Sequence, residues 1–137
     1  MLKKIFRTVV IMAVVIAIFC APVAAAERAS LYIVRTSVSI SRSLNNKITV
    51  VFAITGTGTM DKIGASSIAI YKSDGTYVTT YSYTNSSYSH IMAYNNFFHA
   101  DLVTYQGTAG TSYYAVVDFL AMKDGGGDTH TMTTSIT

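Results

Sequence analysis

The run Gly107–Met122, GTAGTSYYAVVDFLAM, joins a glycine-rich turn to the most strand-like stretch of the chain. Tyr113, Ala115, Val117, Phe119 and Ala121 share one face at period two, and Tyr114, Val116, Asp118, Leu120 and Met122 share the other. Both faces are largely apolar, as in a strand inside a sheet that is covered, at least in part, on both sides. A buried helix shows a similar run. The β-branched and aromatic enrichment and the flanking Gly107, Gly110 and Gly125 to Gly127 decide for strand. Asp118 is the odd member. An unpaired buried carboxylate is costly, so it is expected near a sheet edge or bonded to a neighbouring strand.

Working outward, the same period recurs. Leu31–Arg42 alternates, with Tyr32, Val34, Thr36, Val38 and Ile40 facing inward. Asn45-Asn46 marks a turn, and Lys47–Thr55 returns with Ile48, Val50, Phe52 and Ile54 inward. Gly56–Ala65, GTGTMDKIGA, reads as a loop carrying the chain from one sheet to another, with Met60 and Ile63 tucked beneath it. Its Gly-x-Gly precedes no helix, so a phosphate-binding role fails on context. Ser66–Lys72 and Thr76–Tyr83 flank Asp74-Gly75, a tight hairpin signal. Asn85–Asn96 reads as a loop, with a short strand at most near Ile91. Phe97–Tyr105 is a further strand, with Phe98, Ala100 and Leu102 on one side. Asp124–Asp128 reads as a flexible turn and Thr129–Thr137 as the last strand. About seven strands at intervals of about ten residues, with no amphipathic helix, long repeat or linker, predict one all-β domain built as an antiparallel β-sandwich.

The order Gly110-x-x-Tyr113-x-Ala115 resembles the tyrosine corner of immunoglobulin-like sandwiches. That resemblance implies that Tyr113 opens a strand and bonds back to the backbone of the preceding corner. Ala115 stands where those domains carry a cysteine.

The first 26 residues read as a helical export signal: Lys3, Lys4 and Arg7, then the apolar run Val9–Phe19, then Pro22 and the small residues Ala24 to Ala26. The domain is then 27–137, secreted, or membrane-anchored through the leader if the signal is not cleaved. Phe19 stands where a lipoprotein signal needs a small side chain, which argues against lipidation of Cys20. The leader carries three of the ten basic residues and none of the seven acidic ones, leaving seven of each. The basic balance therefore belongs to the leader, and the scattered remainder offers no stripe for nucleic acid. Cys20, the single cysteine, also lies there, so the exported part has no disulfide and is held by its core.

No catalytic constellation emerges. His90, His99 and His130 lack metal-site spacing. His99 and Asp101 share a strand face, but no nucleophile elbow accompanies them. Asp124 and Asp128 offer two carboxylates where calcium takes about six oxygens. No catalytic residue, metal site or cofactor is assigned. The compositional oddity is tyrosine, ten in all, of which Tyr77, Tyr81, Tyr83, Tyr88 and Tyr94 form the candidate binding set. Tyrosine gives large, rigid contact area with a polar tip. The leader, the Met60-Asp-Lys-Ile-Gly64 loop, the Asp-Gly hairpin and the Gly110-x-x-Tyr113-Tyr114-Ala115 run together resemble small secreted, uncharacterised proteins of Gram-positive bacteria. That likeness implies an extracellular place and brings no catalytic residues. The expected function is a non-catalytic binding or interaction module, contacting an extracellular protein or a cell-envelope component through Thr76–Tyr83 and Asn85–Asn96. The alternative is a structural protein that self-associates through exposed edge strands.

Overall fold

The computed structural model describes residues 30–137, and the export signal expected over residues 1–26 lies outside them. Six strands carry the described part: β1 (Ile33–Arg42), β2 (Lys47–Lys72), β3 (Tyr77–Ser82), β4 (Met92–Gln106), β5 (Tyr113–Lys123) and β6 (Gly126–Thr133). All pairings are antiparallel, and every strand belongs to one sheet. The all-β class is as the periodicity predicts.

The sheet is organised along β2. Its first half lies between β1 and β4, its second half between β5 and β3, and β6 continues outward from β5. Where a loop between two sheets is expected at Gly56–Ala65, the chain stays extended and paired, so two expected strands are one. Glycine here permits irregular pairing and close packing instead of a turn. The register with β4 shifts between Thr55 and Met60, and that with β5 between Ala65 and Ser67. At Gly64 a Cβ would come within 2.3 Å of the Ile91 carbonyl oxygen, so only glycine lets the backbones approach there. Each shift also changes which residues face inward. Ile48, Val50, Phe52 and Ile54 are buried, then Ile63 and Ala65, then Ile68 and Ile70. Met60 and Ile63 are core members.

Those irregularities let one sheet curl until its halves pack on each other, as bulged or bent strands do at the corners of packed sheets. Phe52 of the first half meets Phe119 of the second edge to face, and Tyr105 meets Tyr113 in the same manner. One core cluster spans both halves. On β5, Tyr113, Ala115, Val117, Phe119 and Ala121 are all buried, while the alternate residues are half-buried. Asp118 accepts hydrogen bonds from Ser67 on one neighbouring strand (3.1 Å) and Thr131 on the other (2.6 Å). The expectation of a carboxylate bonded across strands holds.

Three local readings change. A bulge between Ile33 and Arg35 turns Ile33 toward the core and leaves Val34 64% exposed, reversing the start of the β1 alternation. Part of the Asn85–Asn96 loop is a 3₁₀ turn, Ser86–Ile91, capped by the Asn85 side chain, which accepts from the Ser87 amide. The glycine run after Asp124 is a tight hairpin, with positive φ at Asp124 and Gly125, and Gly126 already lies in β6.

Candidate functional site

The candidate tyrosines separate. Tyr81 is core, 7% exposed, with its hydroxyl donating to the Thr104 carbonyl at 3.1 Å and Tyr88 packed edge-on against its ring. It offers little surface to a partner, because β3 turns this side chain toward the interior. Tyr83 packs against the core with the Lys62 ammonium over its ring. Tyr77 is exposed on the outer surface, its ring against Tyr71, which stacks in turn on Tyr114. Tyr94 is exposed on β4, paired in register with Lys62. The structure thus assembles a row Tyr77–Tyr71–Tyr114 across three strands. Tyr114 comes from β5 and could be placed there only by knowing the pairing. The rings cover one another, so the row is chiefly a cross-strand packing device.

The titratable groups do converge at one point. His99 and Asp101 lie two apart on β4, and the 3₁₀ turn brings His90 onto them. His90 Nδ1 is 2.9 Å from Asp101 Oδ2, and His99 Nε2 is 3.9 Å from the same oxygen. His99 Nε2 also lies 2.8 Å from the His90 carbonyl and so donates to it. A shallow pocket beside them is lined by Tyr88, His90, Asp101, Leu102, Val103 and Thr104. A triad needs a hydroxyl or thiol bonded to an imidazole. Among the described residues, the imidazole partners are Asp101 and a carbonyl, and the nearby Ser89 hydroxyl donates to the Ser86 carbonyl instead. Among them, too, no group of three or more His, Cys, Asp or Glu is arranged to hold a metal ion. Asp128, considered for calcium, accepts from the Ser30 hydroxyl and the Tyr32 amide and ties the start of β1 to β6.

The cluster has a clear mechanical effect. β4 pairs with β2 alone, so along most of its length its other edge is free. Its outward-turned polar groups are covered by side chains. The Leu102 amide donates to Asp101, the amides of Phe97 and Phe98 donate to Asn96, and the Thr104 carbonyl accepts from Tyr81. An edge so blunted is a poor template for strand addition.

The outer face of β1, β2 and β4 is different. Registered rows run Arg35–Thr55–Phe98, Ser37–Ala53–Ala100, Ser39–Val51–Leu102 and Ser41–Thr49–Thr104. Val51, Phe98 and Leu102 are each at least 40% exposed, and Phe97 and Tyr94 are more exposed further along β4. Arg35 is the one charged side chain in these rows. Sequence reading groups Phe98, Ala100 and Leu102 but has no means of telling that the other side of β4 faces the core. Val103, His99 and Asp101 point inward, and the apolar set points out.

Comparison with known proteins identifies no relative: no family model matches the chain, and no curated protein or solved structure matches it.

Proposed function

We propose that this chain is an exported, non-catalytic interaction protein that works through the outer face of β1, β2 and β4. One observation carries the reading: Val51, Phe98 and Leu102 lie adjacent and exposed on a sheet face whose two charges, Arg35 and Lys47, stand toward its opposite ends. The largest contiguous apolar patch on a soluble monomer, about 300–600 Å², is often a contact site. The contact surface expected at Thr76–Tyr83 yields to this one because Tyr81 is buried there. Export is supported by the leader pattern of Lys3, Lys4 and Arg7 followed by an apolar run and small residues. An immunoglobulin-like relation is supported locally, since the Thr108 amide donates to the Tyr113 hydroxyl at 3.0 Å, the back-bond of a tyrosine corner.

The test is to follow the native size of the chain as released by the cells that make it, beside a Leu102→Lys variant. Leu102 is exposed, so the variant folds, as a circular dichroism spectrum will show. The wild-type chain, concentrated without purification to about 1 mM, should run above monomer size and the variant at it. Identical elution of the two would remove this face from consideration.

A further inference from the structure

We infer that the occupant of this face is a second copy of the same chain, packed sheet on sheet about a two-fold axis; the inference rests on the contact face proposed above. The first ground is charge. The described part has six basic and six acidic residues, and the four rows carry only Arg35, with Lys47 one row beyond them. The middle of the patch, Val51 with Leu102 and Ala53 with Ala100, holds no charge, so a matching neutral face closes over it without burying an unpaired one.

The second ground is the order of side-chain sizes along the strands. Proceeding from Phe98, the rows read large, small, large, medium: Phe98, then Ala53 with Ala100, then Val51 with Leu102, then Thr49 with Thr104. Place a two-fold axis in the plane of the interface, across the strands, between the alanine row and the Val51–Leu102 row. Each Leu102 then stands over Ala100 of the second copy, and each Val51 over its Ala53. Phe98 stands over the threonine row, and Arg35 over Ser41. All four rows are used, bulk meets gap in each, and no charge faces a like charge. Such alternation lets two sheet faces interdigitate at about 10 Å.

The third ground is the edge. With β4 blunted by Asp101, Asn96 and Tyr81, the edge next to this face is a poor template for adding strand to strand. An isologous face contact closes at two. Its size sets its strength. Three strands spaced about 4.8 Å and four rows about 6.7 Å apart give a footprint of about 400 Å² per copy. Standard interfaces bury about 800 Å² per partner, so this pairing falls in the small, transient class.

Sedimentation velocity of the purified chain, in the form cells release and with its amino terminus read by mass spectrometry, tests this from about 1 μM to about 1 mM. Wild type should pass from monomer toward dimer and stop there. Leu102→Lys alone and Ala100→Glu alone should stay monomeric, and an equimolar mixture of the two should form a one-to-one dimer. Wild type that is monomeric throughout, a dimer untouched by Leu102→Lys, or a mixture that does not associate would overturn the pairing. If purified wild type is monomeric while Leu102→Lys still lowers the native size of the cell-released chain, the face serves a different molecule. Self-pairing then falls and the contact face stands. If neither measurement responds, both fall.

Discussion

Phe52 and Phe119 meet edge to face with ring centroids 6.1 Å apart, and each comes from a different half of the curled sheet. Both are buried, at 1% and 0% exposure. The contact therefore holds the curl closed, which neither the β2–β4 nor the β2–β5 ladder does by itself. Phe119→Ala removes a large ring from a packed core and should cost about 3–5 kcal/mol. Against a total stability of about 5–15 kcal/mol, that is a large fraction. Phe52→Ala should cost a similar amount. The double variant should lose less than the two single losses together, because the rings share one cavity. Urea denaturation of the four chains checks this; strict additivity would mean that the halves do not depend on each other here.

The core was legible in the sequence and the connectivity was not, for one physical reason. Period two reports which side of a strand is apolar, and it located Ile48 to Ile54 and Tyr113 to Ala121 because those runs are regular. It cannot follow a strand through a bulge, where parity slips. At Gly56–Ala65 it therefore loses the strand, and at Val34 it points to the wrong face. Glycine compounds the difficulty, since the same residue serves a turn at Gly75 and a close backbone approach at Gly64. The site failed differently. Tyr81 looks like its neighbours in sequence, and only the crossing of β4 behind it makes it core. His90 meets Asp101 through a 3₁₀ turn that no apolar period announces.

Gly64 and Gly58 should respond oppositely to alanine although both lie in β2. A Cβ at Gly64 would lie 2.3 Å from the Ile91 carbonyl oxygen and 2.8 Å from the Met92 Cα, backbone atoms that cannot swing aside. Forcing strands apart in a packed region costs about 1–3 kcal/mol or more. At Gly58 a Cβ meets nothing within 4 Å, and its φ is not in the left-handed region. There alanine should be neutral or stabilising by about 0.4–1 kcal/mol, by restricting the unfolded chain. Denaturation midpoints for Gly64→Ala and Gly58→Ala decide; equal shifts would mean that β4 does not approach β2 as described.

The Ser30–Asp128 tie should release in acid. The hydrogen bonds from the Ser30 hydroxyl and the Tyr32 amide hold the Asp128 carboxyl below its ordinary value, outweighing a small opposing effect of burial. A carboxylate depressed in the folded state contributes stability above its unfolded value, and that contribution is lost as pH falls through the folded one. Asp74 is held below its ordinary value too, chiefly by Thr76, so it loses stability over the same acid side. Asp128→Asn separates the two. Hydrogen exchange at the Tyr32 amide, expressed as protection relative to the free peptide rate, should fall below about pH 4 in wild type. In Asp128→Asn, whose amide oxygen still accepts but carries no charge, it should be weaker and independent of pH across the acid range. Wild-type protection that is unchanged across the acid range would show that the carboxylate does not hold this amide.

At the alkaline end the controlling group is Tyr81. Burial pushes its hydroxyl up to about 12, with Tyr88 and Tyr105 nearby acting in the same direction. In the unfolded chain it ionises near 10.0, so the folded state keeps a proton that the unfolded state gives up. The sign follows: this contribution is whole below pH 10.0 and is lost as pH rises toward about 12. Tyr81→Phe should cost about 1 kcal/mol at neutral pH, because the hydrogen bond to the Thr104 carbonyl goes. The variant should then lose less stability than wild type over the alkaline window, so the two curves converge. Urea midpoints measured across that window, with the tyrosinate absorbance of the folded protein read alongside, test both parts. Parallel curves for the two proteins would place the alkaline sensitivity on other tyrosines and leave the Tyr81 hydroxyl without the burial that its contacts with Tyr88 and Thr104 imply.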